Sequence, residues 1–173
     1  LDMIAGFFLA YMVVRGKVLG AGVLDTIAML PLAIPGLVLA FGLLTGYLNT
    51  PLDPLLGNPL PLLIIAYAIR RLPYALRSVS GGLQQMSVTL EEASLNLGAS
   101  PLQTVWQVTR PLVTANLLAA GLLTFAFAML EVSDSLILAA NRDYAPIAQA
   151  IYLLSIATSG GTFLACALGA VGM

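Results

Sequence analysis

Apolar residues come in long unbroken runs along this chain, and polar positions mark where the runs end. Residues 3–14 form one such run, about a dozen residues and too short to cross roughly 30 Å of hydrocarbon alone. It is expected to be the tail of a longer helix. Arg15-Gly16-Lys17 follows as a tight basic turn. Residues 27–48 carry no charge and are long enough to span. Pro31 and Pro35-Gly36 fall in the first half, so the helix there must kink or begin late. Two readings stay open: a broken helix lining a pathway, or a kink whose freed backbone groups neighbouring helices satisfy. Gly42 and Gly46 form a GxxxG pair, a device for close helix approach.

Residues 49–61, with Pro51, Pro54, Pro59, Pro61 and Asp53, are expected to be a loop. A helix then rises from about residue 60, passes Arg70, Arg71 and Arg77, and should continue beyond the membrane as an amphipathic stem toward Gly81-Gly82. Arg70 and Arg71 either snorkel to the headgroups or face an aqueous path and an anionic substrate. Residues 112–130 are uncharged and of spanning length, with Ala115, Ala119 and Gly121 available for close packing. Glu131 and Asp134 follow, one helical turn apart and so on one face. Asn141-Arg142-Asp143 is a polar loop. Residues 144–158, with Pro146 and Gln149, predict a partly embedded or interfacial helix, and residues 162–173 begin a last one. About five membrane helices are expected, the first and last cut short, so the chain is taken as a fragment forming one transmembrane domain over 1–173.

The exception to this pattern is the polar stretch of residues 89–101. Thr89 followed by Glu92 has the spacing of a capping box, and Glu91 and Glu92 lie where a helix dipole favours negative charge. Gly98 should end that short helix in the left-handed conformation. Ser100, Pro101 and Gln103 then predict a second capped helix, running to about Thr109 and broken by Pro111. Two short helices meeting at a glycine make a compact knob with a polar face, suited to docking a soluble partner.

This segment resembles the cytoplasmic EAA loop of permease subunits of binding-protein-dependent ABC importers. That family's pattern is Glu-Ala-Ala, three residues, Gly, nine residues, then Ile-x-Leu-Pro. Here stand Glu92-Ala93-Ser94, Gly98 at the same spacing, and Val108-Thr109-Arg110-Pro111. Ser94, Val108 and Arg110 depart from it, and Arg110 places a charge where the family has an apolar residue. Arg71-Leu72-Pro73-Tyr74-Ala75-Leu76-Arg77-Ser78-Val79 and Leu83-Gln84-Gln85-Met86 are similar to permeases of iron(III)-type importers. The likeness covers nearly the whole chain. It implies an all-α, polytopic helical bundle of the type I importer kind, with a coupling loop at about 81–111. Glu91, Glu92, Ala93, Ser94, Gly98, Ala99 and Pro111 would be the ATPase-coupling residues. The implied partners are ABC ATPase subunits, a second permease subunit or second half, and an extracytoplasmic substrate-binding protein. The implied place is the bacterial inner membrane.

Composition narrows the chemistry. The 173 residues are 60% hydrophobic and 9% charged, against about a quarter charged in soluble domains. A net charge of −1 gives no case for nucleic acid. Without histidine there is no imidazole acid–base or metal chemistry, and no metal site is expected. Cys166 lies in an apolar run and is expected to be a buried small hydrophobe. Basic residues set the orientation. Arg15, Lys17, Arg70, Arg71, Arg77 and Arg110 fall on one side and Arg142 alone on the other, which makes the knob cytoplasmic.

No Gly-x-x-x-x-Gly-Lys-Ser/Thr stretch is present, so the chain has no phosphate-cradling loop. No cofactor is expected here; ATP and Mg would belong to a partner ATPase. Glu131 and Asp134 stand out as candidate substrate-pathway residues, because an intramembrane acid is costly and tends to be functional. Their position at the end of a run, where the cost falls, allows a purely structural role. Glu92 serves as a cap and a partner contact. Two function classes remain. One is a non-catalytic importer subunit carrying iron(III), with thiamine, sulfate, polyamine or phosphonate as alternatives. The other is an intramembrane enzyme using Glu131 and Asp134 with a divalent metal.

Overall fold

The computed structural model describes residues 1–16, 20–47, 58–139, 141–157 and 160–172, and among them every regular element is helical. The order is α1 (Asp2–Val14), α2 (Ala21–Ala33), α3 (Gly36–Tyr47), α4 (Leu60–Gln85), α5 (Val88–Asn96) and α6 (Pro101–Thr104). A π-helical turn (Val105–Thr109) joins α6 to α7 (Arg110–Leu112). Then come α8 (Thr114–Met129), α9 (Ser133–Leu138), a 3-10 turn (Arg142–Tyr144), α10 (Ile147–Ser155) and α11 (Gly161–Gly172). The all-α expectation holds, but the described helices are more numerous than five, and apart from the 26-residue α4 they are shorter than a span. Residues 17 and 48–57, and with them Lys17 and most of the proline loop, lie outside the described residues.

Each departure has a local cause. Residues 27–48 do not make one kinked helix: the chain breaks at Ile34-Pro35, and α3 restarts at Gly36. Pro35 cannot donate to a preceding turn, and it biases Ile34 away from the helical region. The run at 112–130 starts late, at Thr114, because Val113 takes a non-helical ψ of 6°. Pro111, expected to break the helix, is absorbed instead by the π turn, and the bend of 67° falls after it. Sixteen residues of α8 rise only about 24 Å. Among the described residues no single helix is long and apolar enough to cross a membrane. Two pairs pass that test only together: α2 with α3, and α6–α7 with α8.

The chain divides into two compact units, residues 1–31 with 71–125 and residues 32–70 with 126–173. In the first, Ala10, Leu76, Val79, Leu83 and Val113 are buried, with Phe7, Tyr11, Met29 and Leu117 packed around them. Gly6 of α1 sits so close to Ala75 of α4 that an added methyl would meet its Cβ at 2.7 Å, the small-residue contact of lipid-embedded helices. In the second unit, Ala40, Leu62, Leu63, Ala66, Leu138 and Ala139 form the core, α3 packs on α9, and α10 packs on α11.

Several side chains lie elsewhere than expected. A Cβ added at Gly42 or Gly46 would meet nothing within 4 Å, so among the described residues the GxxxG pair makes no close helix contact. Of the small residues on α8, Ala115 and Ala119 are exposed, and Ala120 and Thr124 are buried instead. Cys166 is exposed rather than buried, because α11 turns Gly161 and Ala165 inward. Gln149, taken as a mark of an interfacial helix, is buried and donates to the Ala139 carbonyl at 3.1 Å. Arg71 is only 4% exposed and Arg70 is ion-paired, so neither extends to the surface as a snorkelling side chain would. The stem is as expected in kind: α4 continues unbroken through Gly81-Gly82 to Gln85.

Candidate functional site

The knob is α5 to α7 in the first unit, and its own polar groups hold it together. Its first helix begins two residues earlier than the Thr89–Glu92 spacing suggests. Ser87 is the N-cap, its hydroxyl accepting from the Thr89 N–H at 3.3 Å and meeting the Thr89 hydroxyl at 2.7 Å. Thr89 is therefore inside the first turn, and no Thr89–Glu92 box forms. Serine outranks threonine as a cap; Glu91, not Glu92, faces the protein, where it meets Arg15 and Thr109.

Gly98 does what its position predicts. Its φ is +93°, and the Ala99 N–H reaches Ser94 O at 3.2 Å while the Gly98 N–H reaches Leu95 O at 3.0 Å. These two bonds make a Schellman end, closing carbonyls the helix would otherwise leave open. The second box is also present: Gln103 Oε1 accepts from the Ser100 N–H at 2.8 Å, and Ser100 Oγ accepts from the Gln103 N–H at 3.3 Å. Ser94, a departure from the family alanine, bonds Thr104 Oγ1 at 3.0 Å and ties the two helices together. The π turn brings the Arg110 N–H to Val105 O, and this wider turn accommodates the proline that follows. Arg110 is exposed and lies over the Trp106 ring at 4.8 Å, so its charge stays outside the packing.

The predicted coupling residues thus divide by exposure. Glu91 is buried, Ser94 and Ala99 are half-buried, and Glu92, Ala93, Gly98 and Pro111 are exposed. Beside Glu92 and Ala93, Leu90 and Leu95 are about half exposed and Leu97 is 90% exposed. Glu91 accepts a hydrogen bond from Thr109 Oγ1 at 2.8 Å, and its other oxygen lies 3.4 Å from Arg15 Nε. Arg15 also donates through Nη2 to Leu83 O at 2.9 Å and to Met86 O at 2.7 Å. Nothing in the sequence joined residues 15 and 91; only their shared scarcity as charges in an apolar chain pointed that way.

The second unit gathers the other candidate acids around Arg70. Its Nη1 lies 3.2 Å from Asp134 Oδ1, and its Nη2 lies 3.8 Å from Glu131 Oε2. Asp134 is fully buried. Glu131 accepts from the Ser133 N–H at 2.9 Å, capping α9, and the Tyr67 hydroxyl donates to the Glu131 carbonyl at 3.3 Å. Glu131 and Asp134 do not share a helical face, because Glu131 lies in the non-helical link between α8 and α9; they meet through the one guanidinium of Arg70. Gly36, at the start of α3, completes the site: a Cβ there would overlap Arg70 Nη1 and come within 2.8 Å of Asp134 Oδ1. Among the described residues no group of three metal-ligating side chains converges.

Comparison with known proteins places these sites in context. Residues 3–173 match the family described as binding-protein-dependent transport system inner membrane component. The chain is 32% identical over 171 residues to the ferric transport system permease protein FbpB of Actinobacillus pleuropneumoniae. That alignment takes in 99% of this chain and 24% of the relative, so the chain spans about a quarter of the relative's length.

Proposed function

The chain belongs to the binding-protein-dependent transport system inner membrane components, and on that footing we propose that it is part of the membrane-embedded permease of an ATP-driven importer. In this reading the knob rests in a groove of a separate ATPase subunit, which binds ATP and Mg. A second permease subunit or second half completes the pathway, and an extracytoplasmic binding protein delivers the cargo. The cargo is iron(III), supported by the likeness to a ferric transport permease and by the flanks at 71–79 and 83–86.

The observation that carries the docking reading is the exposed face of the knob. Its caps and bridges are internal, and the side chains of Leu90, Glu92, Ala93, Leu95 and Leu97 are left exposed among the described residues. Switching a transporter from 1:99 to 99:1 between two states requires about 5.5 kcal/mol of differential interaction. An exposed ion pair through Glu92 supplies at most about 1 kcal/mol. The apolar residues beside it must therefore contribute most of the docking energy.

The enzyme alternative has less support. Arg70 already engages both Glu131 and Asp134, and an acid pair held on a guanidinium is a poor proton shuttle or metal anchor. The test is purification of the full-length protein from mild detergent. A chain with a Walker motif should copurify, and Glu92→Ala should lower substrate-stimulated ATP hydrolysis and uptake partially. Recovery without an ATPase would exclude the importer assignment. Undiminished activity in Glu92→Ala would exclude Glu92 as a docking contact.

A further inference from the structure

The importer reading leaves open how motion of the knob reaches α1, which is not adjacent to the knob in sequence. The knob is covalently joined to α4 through Met86-Ser87 and to α8 through Val113, and both joints are non-helical. A rigid body on two such joints can rock without moving a third helix. Met3 and Phe7 of α1 face Leu102, Val105 and Trp106 of the knob across an apolar cavity, and a charged side chain bridges the two directly. Arg15, the residue that ends α1, projects into the seam between the last turn of α4 and the knob.

We propose that Arg15 and Glu91 form the clamp that transmits knob motion to α1. One guanidinium holds three elements at once: it donates to the carbonyls of Leu83 in α4 and of Met86 just past its end, and it faces the Glu91 carboxylate of α5. Glu91 extends the chain of contacts to Thr109 in the π turn. Both charged side chains are about nine-tenths buried, at 11% and 10% exposure. Salt therefore screens them little, and removing either leaves the other buried and unpaired. The carbonyls at the end of α4 are ones a helix cannot satisfy internally. Displacing Arg15 therefore removes a contact shared by the end of α4 and the knob. Glu92, the acid that matches the family motif, makes no such internal contact; it faces outward and Glu91 faces inward. The two adjacent acids then divide the work: one meets the ATPase, and the other passes its motion on. Arg15 and Glu91 are positioning residues and touch no substrate.

This proposal rests on the importer reading, and the experiment separates the two. In the full-length complex with Cys166→Ala, single cysteines are placed at Asn96 on the knob and at Met12 on α1, both exposed. Each is labelled with a maleimide in proteoliposomes, with and without ATP trapped by vanadate. The ATPase should protect position 96, and ATP should change the labelling rate at position 12 by about fivefold or more, the lower end of ordinary allosteric coupling. In Glu91→Gln and in Arg15→Gln the protection at 96 should persist while the response at 12 falls below about twofold, and the double variant should be no worse than either single, as coupled partners require. Arg15→Lys, which keeps the charge, should recover part of the response. An unprotected position 96 in the otherwise unaltered complex would sink the importer reading itself. Persistence of the full response at 12 in both Gln variants would overturn the clamp. So would loss of the footprint at 96 in both, since the pair would then merely hold the knob folded.

Discussion

The same substitution at two places on α3 should have opposite signs. Glycine inside a helix costs about 0.5–1 kcal/mol relative to alanine. At Gly42 nothing lies within 4 Å, so Gly42→Ala should stabilise by about that amount. Gly36 has no such space. A methyl group there overlaps Arg70 Nη1 and lies 2.8 Å from Asp134 Oδ1 and 2.9 Å from Ser133 Cβ. Arg70 is the element that can yield, since its side chain is long and 22% exposed, but yielding moves it off a fully buried Asp134. Breaking a buried pair outright costs about 3–5 kcal/mol. Water reaches the displaced guanidinium, so a loss of about 2–3 kcal/mol is the better estimate here. Set against the helix gain, Gly36→Ala should be destabilising by about 1–2.5 kcal/mol, or roughly 2–10 °C in Tm for a chain of this size. Thermal unfolding in detergent micelles of both variants beside the parent is the assay. A Gly36→Ala protein as stable as Gly42→Ala would show that Arg70 moves freely and that its cluster with Glu131 and Asp134 is not close-packed against Gly36.

Two further outcomes follow from the same geometry. Gly98→Val forces a β-branched residue to φ +93°, a strain of about 1–3 kcal/mol; proteolysis should then open the knob while the membrane-inserted yield stays unchanged, and an unaltered cleavage pattern with normal uptake would refute the helix-end assignment. On topology, a membrane-impermeant thiol reagent added from outside should label Arg142→Cys and not Asn96→Cys in a Cys166→Ala background, and the reverse pattern would overturn the cytoplasmic placement of the knob.

The legible features were those set by residues close together in sequence. Ser100, Pro101 and Gln103 spell a capped start, and Gly98 a left-handed end, because cap geometry depends on three or four consecutive residues. Where two local solutions competed, the sequence reading chose the wrong one. Ser87 and Thr89 can each cap α5, and the helix starts from Ser87. Pro111 offered a break or a π turn, and the backbone took the turn and bent at Val113.

Apolar runs, caps and the spaced Glu92–Gly98–Pro111 motif were therefore enough to establish an all-helical, lipid-suited chain carrying one polar knob, and enough to identify its family. They could not say which charges meet. Arg15 with Glu91, and Arg70 with Asp134, lie 76 and 64 residues apart, and no period or spacing relates them. In a chain with so few charges, burial forces each to find a counter-charge. Which counter-charge it finds is decided only when helices distant in sequence pack side by side.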